Sequence, residues 1–184
     1  MSARAVPAPL AQLPNALTVG RLALIPVFVA VLLSADGGRS WPAAIIFGAA
    51  GITDQIDGFL ARRWRVESEF GKYADPLADR LMIDAAIILL WLDDRLPWEA
   101  LLVILARDGL LVAGYKLVEG RGYEFEVNFV GKAATWVLYA ALAFTMVTHR
   151  GTDWPYVLFW VGLGMASAAA VDYVLKAWRE VRRR

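Results

Sequence analysis

Asp54-Gln55-Ile56-Asp57-Gly58-Phe59-Leu60-Ala61-Arg62, eight intervening residues, and Gly71-Lys72-Tyr73-Ala74-Asp75-Pro76-Leu77-Ala78-Asp79 form the stretch that decides how this chain is read. Apolar runs flank it, residues 41–61 on one side and 75–92 on the other. A helix needs roughly 20 mostly apolar residues to cross the hydrocarbon core of a bilayer, so the stretch predicts two membrane helices joined by a short basic connection. Asp54 and Asp57 are three residues apart and Asp75 and Asp79 four apart, and such spacings put each pair on one helix face. A connection this short makes the helices antiparallel neighbours. All four carboxylates can then converge at one end of the pair.

Outward from this hairpin the pattern recurs. Apolar stretches also lie at 17–35, 97–117, 130–148 and 155–176, so the expected fold is all-α, a polytopic membrane bundle of about six transmembrane helices. Of the 184 residues 59% are hydrophobic and 20% charged, and the mean hydropathy is +0.49. That is too apolar for an ordinary soluble domain of this size. Turn chemistry separates the stretches: Asp36-Gly37-Gly38, the charged run after Arg62, Asp93-Asp94-Arg95 before Pro97, Gly120-Arg121-Gly122, and Gly151-Thr152-Asp153 before Pro155. The connectors leave no room for a second domain, so 1–184 is expected to be a single membrane domain. Residues 1–16 read as an interfacial segment, with Asn15 as the N-cap of the first helix. The first apolar run, 22–33, contains Pro26 and is followed by Ser34-Ala35-Asp36-Gly37-Gly38. It reads as a retained span, not as a cleaved leader.

Charge placement predicts orientation. With the N-terminus inside, Arg4, Arg62, Arg63, Arg65, Lys72, Lys116, Arg121, Lys132, Lys176, Arg179, Arg182, Arg183 and Arg184 face the cytoplasm, and only Arg39, Arg95 and Arg150 face away. Cytoplasmic segments carry the excess of Lys and Arg, so both termini are expected in the cytoplasm. Trp41, Trp98, Trp154 and Trp178 fall at expected span ends, where interfacial tryptophan belongs.

The chain has no cysteine and one histidine, His149, so any metal is held by oxygen. Four ionised carboxylates in a membrane bundle repel one another and lose hydration, which is tolerable only with cations beside them. Hard oxygen donors favour Mg²⁺, Mn²⁺ or Ca²⁺ over Zn²⁺. Gly58 and Ala61 would let a bulky ligand approach the backbone, and Arg62 offers a fork for phosphate oxygens. The competing plain reading is a solvated cluster, with the acids paired to Arg62, Arg63, Arg65, Lys72 and Arg80. Intramembrane acids at matched helical intervals are costly without a use, which disfavours it.

These residues match D-x-x-D-G-x-x-A-R, eight residues, G-x-x-x-D-x-x-x-D at every specified position, and the chain resembles the CDP-alcohol phosphatidyltransferase family. The motif covers residues 54–79, and six spans with the motif on the second and third extend the resemblance over nearly the whole chain. The resemblance implies two divalent cations, Mg²⁺ or Mn²⁺, held by Asp54, Asp57, Asp75 and Asp79, and a diphosphate bound across them. It implies Asp79 as general base and Gly58, Ala61, Arg62 and Gly71 on the CDP-diacylglycerol side. The expected reaction moves a phosphatidyl group onto an alcohol with CMP leaving. The expected partners are CDP-diacylglycerol, the alcohol and the bilayer, with a homodimer as one assembly and no nucleic acid. The expected place is a bacterial cell membrane, with the active site at its cytoplasmic face.

For the acceptor, Arg21, Arg107 and Lys132 are the candidate binding residues, with Arg80 beside them, because cations in or near a span suit a phosphate-bearing alcohol. An Arg107–Asp108 or Arg107–Asp84 structural ion pair is the alternative. Leu13-Pro14-Asn15-Ala16-Leu17-Thr18 with Arg21, together with Phe70 to Arg80, resembles the branch of phosphatidylglycerophosphate synthases and CMP-forming cardiolipin synthases. Arg107-Asp108 resembles the cardiolipin side of that branch, so glycerol 3-phosphate and phosphatidylglycerol both stand as acceptors. A small ion transporter is the reading from another class. It would spread polar residues through the midplane of several spans, whereas these acids sit at the ends of two.

Overall fold

A computed structural model describes residues 13–64, 69–118 and 129–183. These residues form six α-helices: α1 (Leu13–Leu33), α2 (Trp41–Trp64), α3 (Glu69–Leu92), α4 (Trp98–Val118), α5 (Phe129–Val147) and α6 (Asp153–Arg183). Among the described residues there is no strand. Three helices are long and apolar enough to cross a membrane by length and composition, over Ala16–Leu33, Phe129–Val147 and Asp153–Arg179. Among the described residues the other three hold no apolar stretch of that kind, and α2 and α3 are the helices that bear the acidic motif.

α1 begins at Leu13, so Asn15 lies in its first turn and does not cap it, contrary to expectation. Pro14 explains the earlier start, because first-turn N–H groups have no intrahelical acceptor and proline loses nothing there. The rest of the expected interfacial segment, residues 1–12, lies outside the described residues. Pro26 sits inside α1 without ending it.

α1 packs on both α2 and α3, while α4 and α5 both pack on α6. Contacts of α2 with α5 and of α3 with α4 and α5 join the two groups. Among the described residues, α2 and α3 touch each other less than each touches α1. Small side chains occupy many of the buried positions, including Ala43, Ala50, Ala78, Ala86, Ala100, Ala134 and Ala141. Large apolar residues such as Leu33, Ile45, Leu105 and Val157 face outward. That arrangement suits packing in lipid, where close backbone approach and hydrogen bonds hold helices together because burial from water is not available to do so.

A file of aromatic rings crosses the core. Phe28 of α1 meets Phe47 of α2 with centroids 5.5 Å apart, and Phe47 meets Tyr139 of α5 at 4.7 Å. At the end away from the motif, Arg95 ties three connections together. Its guanidinium donates to the carbonyls of Gly37 at 3.3 Å and Thr148 at 3.0 Å, and to that of Thr145. Arg39 Nε donates to Val147 O at 3.0 Å and the Ser40 N–H to Met146 O at 2.7 Å, so the last carbonyls of α5 gain partners that a helix end lacks. Gly37 has φ 61, a left-handed conformation that favours glycine.

Candidate active site

Asp54 lies on α2, a little past its middle, and its Oδ1 accepts a hydrogen bond from Nη1 of Arg21 on α1. Arg21 is 1% exposed and Asp54 20% exposed. Burial of a guanidinium costs heavily unless a charge meets it, so this pair accounts for how α1 carries a cation into the bundle. Arg21, one of the expected acceptor-binding residues, meets the motif carboxylate of Asp54 and is not among the residues that wall the cavity beside Asp79.

Asp79 lies on α3, and its Oδ1 accepts from the hydroxyl of Tyr139 on α5 at 2.6 Å. The positive charges of Arg21, Arg107 and Arg80 act on Asp79, and the charges of Asp79 and Asp54 both act on Tyr139. The two motif acids therefore face a common region from different helices. Asp57 follows Asp54 by one turn of α2, and Asp75 precedes Asp79 by one turn of α3. The side chains of Asp57 and Asp75 lie outside the described residues, as do those of Gly58, Ala61, Arg62 and Gly71. Among the described residues no three potential metal ligands form a group. The donor chemistry of Asp54 and Asp79, hard carboxylate oxygens on two helices whose charges both act on Tyr139, fits a divalent cation such as Mg²⁺ or Mn²⁺.

Beside Asp79 is a cavity of about 90 Å³ lined by Asp79, Arg80, Ile83, Asp84, Ile104, Arg107, Asp108, Thr135 and Leu138. Of the two pairings open to Arg107, the structure forms the one with Asp108, at 2.8 Å between Nη1 and Oδ1. Both side chains are 17% exposed, and the buried Arg107 Nε has no hydrogen-bond partner among the described residues. Arg107 thus lies in an ion pair and also on the cavity wall. Lys132 is exposed on the first turn of α5 and is not on that wall, although Thr135, three residues on, is.

Tyr139 and Thr135 were not legible as site residues because each sits in a mostly apolar helix with no motif around it. One signal was available for Tyr139: Gly51, a turn before Asp54, makes room for its ring. A Cβ at Gly51 would lie 2.7 Å from a ring carbon of Tyr139.

The family model for CDP-alcohol phosphatidyltransferase matches residues 11–168. A Bacillus subtilis (strain 168) protein named CDP-diacylglycerol--glycerol-3-phosphate 3-phosphatidyltransferase is 34% identical, over 93% of this chain and 97% of its own length. A Streptomyces coelicolor protein named cardiolipin synthase (CMP-forming) is 34% identical, over 92% of this chain and 84% of its own. A Mycobacterium tuberculosis protein named probable phosphatidylglycerophosphate synthase is 33% identical, over 94% and 84% respectively.

Proposed function

This chain belongs to the CDP-alcohol phosphatidyltransferase family, and we propose that it transfers a phosphatidyl group from CDP-diacylglycerol to a glycerol-type alcohol, releasing CMP, in phospholipid biosynthesis. The acceptor we assign is glycerol 3-phosphate, giving phosphatidylglycerophosphate, the reaction in the name of the Bacillus relative. The observation that carries the reading is Asp79, last aspartate of the motif, standing where the acidic centre meets a cavity walled by Arg80 and Arg107. A base must reach the proton it removes, and arginine pairs with phosphate oxygens.

In this reading the acceptor oxygen attacks the phosphorus that bears the diacylglycerol. Its proton passes to Asp79, and the bond from that phosphorus to the CMP oxygen breaks with its electron pair leaving on CMP. Arg62 and the backbone at Gly58, Ala61 and Gly71 hold the CDP side. Two divalent cations, Mg²⁺ or Mn²⁺, held by Asp54, Asp57, Asp75 and Asp79, would supply positive charge against the diphosphate when bound. Asp54 is kept in place by Arg21. No covalent enzyme intermediate is required.

All six helices cross the bilayer in this proposal, within the single domain 1–184, with both termini and the motif at the cytoplasmic face. The positive-inside distribution of Lys and Arg and the outward-facing apolar residues support it. A homodimer is compatible with the outward-facing apolar surface.

A second reading takes phosphatidylglycerol as acceptor and cardiolipin as product. Two observations favour it: the Streptomyces relative is equally similar, and the Arg107–Asp108 pair offsets the cationic charge that a free phosphate would need. The deciding experiment incubates purified protein with labelled CDP-diacylglycerol, Mg²⁺ or Mn²⁺, and a panel of glycerol 3-phosphate, phosphatidylglycerol, inositol and serine. Phosphatidylglycerophosphate from glycerol 3-phosphate supports the main reading. Cardiolipin from phosphatidylglycerol, with glycerol 3-phosphate inert, supports the second. No CMP release with any alcohol overturns both.

A further inference from the structure

We propose that Tyr139 is a positioning residue for transfer: its hydroxyl holds the Asp79 carboxylate in one rotation, so that the other carboxylate oxygen serves the acceptor. The inference rests on the reading of Asp79 as the base and adds a residue from outside the motif and outside the two motif helices.

Three observations carry it. The Tyr139 hydroxyl donates to Asp79 Oδ1 at 2.6 Å, within the short range of hydrogen bonds to an ionised acceptor. The tyrosine is 7% exposed, and α2 builds a seat for its ring. Phe47 stacks against it at 4.7 Å, and Gly51 offers a surface where any side chain would collide with it, 2.7 Å from a ring carbon. A ring fixed on two sides cannot swing the hydroxyl away without moving α2. Finally, Asp79 also forms part of the cavity wall with Arg80, Asp84, Arg107 and Thr135. The carboxylate is therefore clamped through one oxygen while the residue borders the space open to a substrate. Free rotation about χ2 would share the two oxygens between these environments, and a fixed rotation removes that loss of productive geometry. Gly51 and Asp54 are neighbouring turns of the same helix, so α2 contributes both a motif carboxylate and the seat of the residue that orients another.

Tyr139→Phe keeps the ring and its seat and removes the donor. In purified protein reconstituted in nanodiscs, kcat is expected to fall about tenfold to a hundredfold. The KM for CDP-diacylglycerol should stay within about twofold, and the rise in melting temperature on adding Mn²⁺ should be retained. Gly51→Ala should lower kcat in the same way with the hydroxyl still present, because the added Cβ displaces the ring. If Gly51→Ala does not fold, Tyr139→Phe decides alone. Near-normal kcat in Tyr139→Phe overturns the inference. So does a loss of Mn²⁺ stabilisation with a matching rise in the KM for CDP-diacylglycerol, which marks a role in binding. Asp79→Asn, measured alongside, separates the two levels: turnover in that variant removes the base assignment itself, whereas an inactive Asp79→Asn beside a normal Tyr139→Phe removes only the role of the tyrosine.

Discussion

Arg21 of α1 donates to Oδ1 of Asp54 of α2, a pair that joins residues 33 positions apart and buries the guanidinium almost completely. Each charge needs the other, since removing one partner of a buried pair leaves an uncompensated ion. Arg21→Met is expected to destabilise the metal-free protein by on the order of 2 kcal/mol, the low side for such pairs because Asp54 keeps some exposure. Adding Asp54→Asn should recover part of that loss, because the stranded carboxylate is then gone. Melting curves of both variants, without divalent cations, are the measurement. An Arg21→Met protein as stable as the parent would show that the pair adds nothing.

Asp79→Asn should abolish transfer while CDP-diacylglycerol binding persists, because the amide keeps an oxygen but cannot take the acceptor proton. Asp57→Asn should instead weaken metal and nucleotide binding together. Equilibrium binding of CDP-diacylglycerol and initial rates separate the two. Comparable binding loss in both variants would contradict the division of roles.

Arg107 lines the cavity beside Asp79, whereas Lys132 is exposed away from its wall. Arg107→Gln should raise the acceptor KM more than Lys132→Gln does, by roughly tenfold for each 1.4 kcal/mol of lost binding, with the KM for CDP-diacylglycerol little changed. Equal effects of the two substitutions would mean that both cations meet the acceptor. Lower melting temperatures with unchanged acceptor kinetics would make Arg107 a structural partner of Asp108.

Arg95 should matter for stability and not for chemistry. It donates to carbonyls of Gly37, Thr145 and Thr148 at the end of the bundle away from the motif. Burial, and then the nearby Arg150, push its pKa down, with Asp93 opposing. Arg95→Ala leaves several of them unsatisfied and should cost about 1–3 kcal/mol. Melting curves and kinetics on the same preparation test this, and a kcat that falls while stability holds would tie this end of the bundle to turnover.

The absence of cysteine allows a direct test of orientation. Single cysteines at Ser34 and Thr152 should react with a membrane-impermeant thiol reagent applied to intact cells. A cysteine at Ser2 should react only after the membrane is opened. The reverse pattern would invert the proposed topology.

Much of this protein could be read from local sequence. Six apolar stretches became six helices, and the bounds shifted at features that spacing cannot weigh. Pro14 lies in the first turn of α1, where it does no harm, so the helix starts before Asn15. Pro26 lies well inside the same helix and does not end it. The acids could be placed on shared faces because intervals of three and four residues fix a face in any α-helix.

What local sequence determined, then, was the helical class, the absence of any thiol and the motif. Each follows from residue type and short-range spacing alone. Tertiary structure decided which charges meet. Spacing alone assigned Arg21 no carboxylate, and the packing of α1 on α2 brought it to Asp54; Arg107 had two carboxylates within sequence reach until the fold chose Asp108. Tyr139 is 60 residues from Asp79, and only the packing of α5 across α2, through the gap left at Gly51, joins them. Long-range partners depend on how helices cross and on where small residues let them approach, and no interval along the chain encodes that.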